Sequence, residues 1–192
     1  GQLSKRLPDV YAIHPAFDTS ASTIGGLELA GFKSQLMQLK QLEKSLMAPF
    51  SVYIHGDFNI DNIIYDPGEE RINFIDLHRS RHMDYLQDVS VFMVSCYRLR
   101  VFDPRIRRRI QAINHEFYRF VRQYARKQGD ESFETRLALG LIRSFATSTR
   151  FILDKSLSWA MFNRAVYLMQ RLLEAQGSKQ PFKLPIKEVF VG

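Results

Sequence analysis

Asp57, Asn62 and Asp76 are the residues of this 192-residue chain whose types and spacing suit handling of phosphate. They lie in Ile54-His55-Gly56-Asp57-Phe58-Asn59-Ile60-Asp61-Asn62 and in the short apolar run Phe74-Ile75-Asp76. An H-x-D-x-x-x-x-N string with a second aspartate downstream is a spacing that phosphoryl transfer uses. That chemistry asks for a carboxylate to orient an attacking hydroxyl and accept its proton, the role expected of Asp57. It also asks for hard oxygen ligands for magnesium, expected from the Asn62 amide and the Asp76 carboxylate, with waters and substrate phosphates completing the shell. Taken singly, each residue has a plainer reading as a turn cap, a strand start or a strand terminus. Together, at this spacing, they favour the chemical reading.

His55 reads as a core histidine that braces the loop by hydrogen bonding. A metal-ligand role lacks company, since His14, His78, His82 and His115 are scattered without ligand spacing. Asp84 is placed to cap a helix, with Asp88 about one turn further on. The mostly apolar run from Val89 to Val94 expects Asp88 to be partly buried. A buried carboxylate needs donors, and the backbone amides of the Asp57 loop are the natural ones.

The elements that must position these groups follow from pattern. Ser51–Ile54 is a short β-prone run. Asn62–Tyr65 and Arg71–Ile75 are two more, joined by Asp66-Pro67-Gly68-Glu69-Glu70, which predicts a hairpin. Such a hairpin brings Asn62 and Asp76 to the same end. Residues 1–26 read as an irregular linker or the start of a lobe, because Pro8, Pro15, the run 18–23 and Gly25-Gly26 punctuate them. Gly1 could be the remnant of a tag. A helix is expected over 27–47, its apolar stripe formed by Phe32, Leu36, Leu39, Leu42 and Leu46. Further helices are expected over 85–102, 105–127, 133–153 and 157–175, with Asp103-Pro104 as a cap and first turn and 181–185 as an extended tail. The fold class expected is α+β, mostly helical, with one small hairpin carrying the chemistry.

Composition sets bounds. With 45% hydrophobic residues the chain can bury a substantial core. No apolar run reaches the ~20 residues of a bilayer span, and no signal-peptide core follows the N-terminus. The single cysteine, Cys96, makes neither an intrachain disulfide nor a zinc site alone, which favours a reducing cytoplasm. The net charge of +7 is concentrated in arginines between Arg98 and Arg126. That density suits nucleic acid, anionic lipid or a phosphorylated substrate. The plainer reading is a solvated helix face whose long stems cover apolar surface, and no nucleic-acid motif accompanies the charge.

Residues 51–90 resemble the aminoglycoside phosphotransferases, within the wider group of protein-kinase-like folds. Ile54–Phe58 with Asn62 is similar to that family's catalytic loop. Phe74-Ile75-Asp76-Leu77-His78-Arg79-Ser80, with Asp84 and Asp88 downstream, resembles the metal-aspartate region of its 3′-phosphotransferase branch. The resemblance implies an ATP- and Mg2+-dependent phosphotransferase acting on a small-molecule hydroxyl, with Asp57 catalytic, Asn62 and Asp76 as metal ligands and Asp88 bracing the loop. His78 stands where that branch often has glycine. No glycine-rich phosphate loop and no strand lysine precede Asp57, so residues 27–192 are expected to be the C-terminal lobe alone, with the nucleotide-covering N-terminal lobe missing or fused elsewhere. Weak or no activity is expected of this piece in isolation. The basic chain suggests a neutral or anionic acceptor. A degenerate lobe that binds or regulates a partner is the alternative.

Overall fold

The computed structural model describes residues 2–18, 21–24, 27–178 and 180–191. Two compact units are formed, one from Gly1–Met47 and Glu134–Leu184, the other from Ala48–Phe133 and Pro185–Gly192. Helices predominate, accompanied by three two-stranded antiparallel pairings among the described residues.

The chain opens with helix α1 (Gln2–Ile13), where the sequence suggested irregular structure. Pro8 sits inside it and removes one backbone donor. The helix forms because Leu3, Leu7, Val10 and His14 recur at three- to four-residue steps and all are buried. His14 Nε2 donates to the Thr149 carbonyl at 2.9 Å, and Phe17 stacks on Phe162 with ring centroids 4.2 Å apart. Strands β1 (Ala21–Ile24) and β2 (Leu27–Ala30) pair with Ala21 opposite Ala30. Thr19, Ser20, Gly25, Gly26 and Gly1 lie outside the described residues. Helix α2 (Phe32–Ser45) therefore starts later than position 27, because residues 27–30 are taken up by strand pairing. Its buried face is Phe32, Gln35 and Leu39, and the Gln35 amide donates to the Ala30 carbonyl at 2.6 Å.

The second unit begins with β3 (Val52–Ile54). Next come β4 (Ile63–Asp66) and β5 (Arg71–Phe74), joined as the expected hairpin with Ile63 opposite Phe74. Asp66 Oδ1 accepts from the Gly68 and Glu69 amides in the turn, but the left-handed residue there is Glu70 (φ 48°), not the glycine. Strand β6 (Arg81–Met83) returns to pair with β3, Ile54 opposite Arg81. Helix α3 (Leu86–Tyr97) is shorter than the 85–102 expected: its last carbonyls bond the Arg98 and Leu99 amides, and the chain then leaves helical geometry. Its first turn is tied by Asp84, whose Oδ1 accepts from the Leu86 amide at 3.0 Å. Helix α4 (Pro104–Lys127) has the anticipated start, with Asp103 Oδ1 accepting from the Arg105 and Ile106 amides. It ends in a Schellman motif at Gly129 (φ 67°): the Gly129 amide bonds Arg126 and the Asp130 amide bonds Ala125.

The chain then re-enters the first unit through α5 (Phe133–Ser148) and α6 (Lys155–Ser178). A 3-10 turn at Thr149–Phe151 replaces the end of the longer helix predicted to 153. Leu137, Leu141, Phe145, Met161, Leu168 and Met169 are fully buried, each contributing about 1.5–3 kcal/mol through loss of apolar surface to water. Residues 181–185 carry no regular structure, and the short helix α7 (Ile186–Val189) seats Val189 and Phe190 in the second unit.

Candidate active site

The segment between β3 and β4 is held from beneath by α3. The Asp88 carboxylate accepts from the His55 amide at 2.7 Å and the Gly56 amide at 3.0 Å, one oxygen to each. Burial pushes its pKa up; the two amide bonds pull it back in smaller measure, and the nearby Asp57 carboxylate adds a little to the rise. Ser95 Oγ accepts from the Ile60 amide at 3.0 Å, and Arg98 pairs with Asp61 at 2.8 Å. Two side chains of α3 and the residue that caps its end thus hold His55, Gly56, Ile60 and Asp61 of the loop, and Asp88 has the donors its partial burial requires.

Gly56 permits the turn. At φ 85° it occupies a region costly for L side chains. A Cβ there would stand 2.3 Å from the carbonyl oxygen of Arg79. The chain after β5 passes that close, and Ser80 Oγ donates to the His55 carbonyl at 3.2 Å. The His55 ring joins the same two segments. Its Nε2 donates to the Ile75 carbonyl at 2.9 Å, leaving Nδ1 as acceptor for the Asp57 amide at 3.3 Å.

Asp57 follows, its side chain about one-quarter exposed, at 23%. Oδ1 accepts from the Asn59 amide at 2.5 Å and Oδ2 from Arg79 Nη1 at 2.8 Å. Asn62 Nδ2 donates to the Asp57 backbone carbonyl at 2.8 Å. The Ile75 amide donates to the Asn62 carbonyl at 3.1 Å, so Asp76 is one residue from the position that faces Asn62 across the hairpin. Asp76 adopts left-handed geometry, φ 61° and ψ 47°. That region is rare for any residue with a Cβ, and aspartate is among the few that enter it readily. His78, the departure from glycine, sits in an ordinary 3-10 turn (Leu77–Arg79); the unusual backbone belongs to Asp76 itself.

Sequence reasoning missed the role of this 3-10 turn. His78 Nδ1 donates to Asp76 Oδ1 at 2.5 Å, and Arg79 Nε donates to His78 Nε2 at 3.2 Å. Since Arg79 also holds Asp57, the pair His78–Arg79 links the two carboxylates. The spacing Asp76-x-His78-Arg79 was visible, but only a turn tighter than an α-helix directs both side chains back along the chain.

The donor set available to a cation is small. Asn62 Oδ1 and Asp76 Oδ2 have no protein hydrogen-bond partner among the described residues. No group of three or more His, Cys, Asp or Glu side chains suited to a metal occurs among the described residues. Two hard oxygens fit an ion that takes most of its ligands from phosphate and water, which is how magnesium is usually held.

The sequence model of the phosphotransferase enzyme family (APH) matches residues 18–126, more than half of the chain and all of the segment just described. No curated protein and no solved structure gives a significant match.

Proposed function

The chain belongs to the phosphotransferase enzyme family, and from that premise we propose that it transfers the γ-phosphate of ATP to a hydroxyl of a small molecule. In this reading residues 27–192 are the C-terminal, catalytic lobe of a protein-kinase-like fold. One observation carries the proposal: Asn62 is tied to the backbone of Asp57 and, across the hairpin, to Ile75, the residue next to Asp76. A base and two oxygen ligands are thereby gathered by one short stretch of chain.

Asp57 orients the acceptor hydroxyl and takes its proton as the new O–P bond forms and the bond from the γ-phosphorus to its bridging oxygen breaks, releasing ADP. A carboxylate has about four lone-pair sites, so the bonds from Asn59 and Arg79 leave room for the hydroxyl. Asn62 Oδ1 and Asp76 Oδ2 would hold Mg2+, which when bound neutralises charge on the phosphates. Asp88 and His55 keep the loop that bears Asp57 in register with Ile75 and Asp76. The Arg79 guanidinium against Asp57 supports a neutral or anionic acceptor over a polycationic one.

The nucleotide lid would come from a separate lobe, since the chain carries no glycine-rich phosphate loop or strand lysine of the kinase kind. Tyr65, Ile72 and Phe74 share one face of the hairpin and are half or more exposed, an apolar surface that suits such a covering. The second reading, a lobe that binds or regulates without turnover, draws support from the engagement of both Asp57 oxygens by other side chains.

Phosphotransfer from MgATP by the protein with its nucleotide lobe separates the two. Asp57→Ala is expected to lower kcat about 10²–10⁴-fold, and Asp76→Ala to raise the magnesium requirement. Wild-type rates in Asp57→Ala would refute the assignment.

A further inference from the structure

We infer that the outer face of α4 docks on an anionic membrane surface. The packed stripe of this helix is Ile110, Asn114, Tyr118, Val121 and Ala125, all buried. A second apolar line runs beside it in solvent. Ile106, Ile113 and Phe120 follow one another at seven-residue intervals, which is two helical turns, and are 49%, 48% and 67% exposed. Phe102, just ahead of the helix cap, is 89% exposed. Over about 21 Å of helix these side chains leave about half or more of their surface in water.

On the flank away from the packed stripe the same helix presents Arg105, Arg108, Arg109 and, near its end, Arg126 and Lys127, all exposed. The acidic residues of the helix region do not cancel them: Asp103 caps the helix and Glu116 is paired with Arg119. An apolar line bordered by arginines along one helix is the arrangement by which interfacial helices meet anionic lipid, the apolar residues entering the acyl boundary while the cations meet headgroups. The charge excludes the simplest competitor. A second copy covering this line would bring the same arginine row against itself, and like charges at an interface are costly. Nucleic acid would use the arginines but has no use for exposed isoleucines, which neither stack on bases nor form hydrogen bonds. Docking of this kind is peripheral: among the described residues no helix is long and apolar enough to cross a membrane.

Flotation of the 192-residue chain with phosphatidylcholine vesicles, with and without phosphatidylglycerol, tests the inference. Binding is expected only to the anionic vesicles. Arg105→Gln/Arg108→Gln/Arg109→Gln should weaken it on the order of a hundredfold, at roughly fivefold per cation. Ile106→Asn/Ile113→Asn/Phe120→Asn should abolish it at physiological salt while the chain stays folded by far-UV circular dichroism, because about half or more of each side chain is already in water. Failure of the wild type to float with anionic vesicles would overturn the inference. So would binding that survives the apolar substitutions and is matched by duplex DNA, which would make the face a nucleic-acid surface. A vesicle-independent dimer dissolved by the same substitutions would also overturn it, in favour of a second copy.

Discussion

Replacing Gly56 by alanine places one methyl group where another segment of backbone already passes, and its cost can be divided into two parts. The first is conformational: at φ 85° an L side chain is strained by about 1–2 kcal/mol. The second is steric. The new Cβ would lie 2.3 Å from the Arg79 carbonyl oxygen and 2.8 Å from its carbon, both backbone atoms, so relief requires moving the chain rather than rotating a side chain. Overpacking of that kind costs about 1–3 kcal/mol more. Gly129→Ala isolates the first part, because Gly129 has φ 67° and nothing within 4 Å of the Cβ position. Both glycines belong to the same unit. Urea unfolding followed by far-UV circular dichroism should therefore place Gly129→Ala about 1–2 kcal/mol below wild type and Gly56→Ala about 2–5 kcal/mol below it. Function should suffer as well. Gly56 lies between His55 and Asp57, and a displacement near 1 Å at a reacting group can cost up to about 10²-fold in rate. If Gly56→Ala is no less stable than Gly129→Ala, the close approach of the Arg79 backbone is wrong, and with it the account of how the loop is held.

Burial raises the Asp88 pKa, so ionising it costs folding free energy; the cost is absent below the ordinary carboxylate range, grows as pH rises from there to the raised native value, and is constant above it. The stability of the wild type relative to Asp88→Ala should accordingly decline with rising pH across that acid window, measured by thermal unfolding at stepped pH, and a rising difference would contradict the burial argument. Cys96 is 1% exposed and burial pushes its thiol up to about 12, so at pH 8 it should resist alkylation in the native chain and react fully in urea, as mass spectrometry of labelled protein would show.

What could be read from the sequence was local. The hairpin was announced by Asp66-Pro67-Gly68, the start of α4 by Asp103-Pro104, and the first turn of α3 by Asp84, because caps and turns depend on residues a few positions apart. For Asp88 the apolar run after it demanded burial and burial demanded donors, with the loop amides as candidates; the structure supplies those of His55 and Gly56, 33 and 32 positions away. Other features escaped for stated reasons. Pro8 argued against α1, but the buried stripe of Leu3, Leu7 and Val10 outweighed one lost hydrogen bond. Residues 27–30 carry a pattern compatible with helix and are taken by a strand partner instead. The link His78–Arg79 depends on the handedness of Asp76 and the tightness of the turn after it, neither of which residue types disclose. The left-handed geometry of Glu70 in the hairpin link was not marked by its residue type.

The second unit is not continuous along the polypeptide: residues 134–184 are spent on the first unit before Pro185–Val191 return to complete it. Phe190 is 1% exposed and meets the Tyr97 ring edge-on at 6.3 Å, at the end of the very helix whose first turn grips His55 and Gly56. During translation the Asp57 loop and its supports therefore leave the ribosome well before the segment that seals the floor behind them. A nascent chain halted at position 184 would hold every proposed reacting side chain, yet have an open apolar seam where Val189 and Phe190 belong, a natural address for a chaperone until residues 185–191 are made.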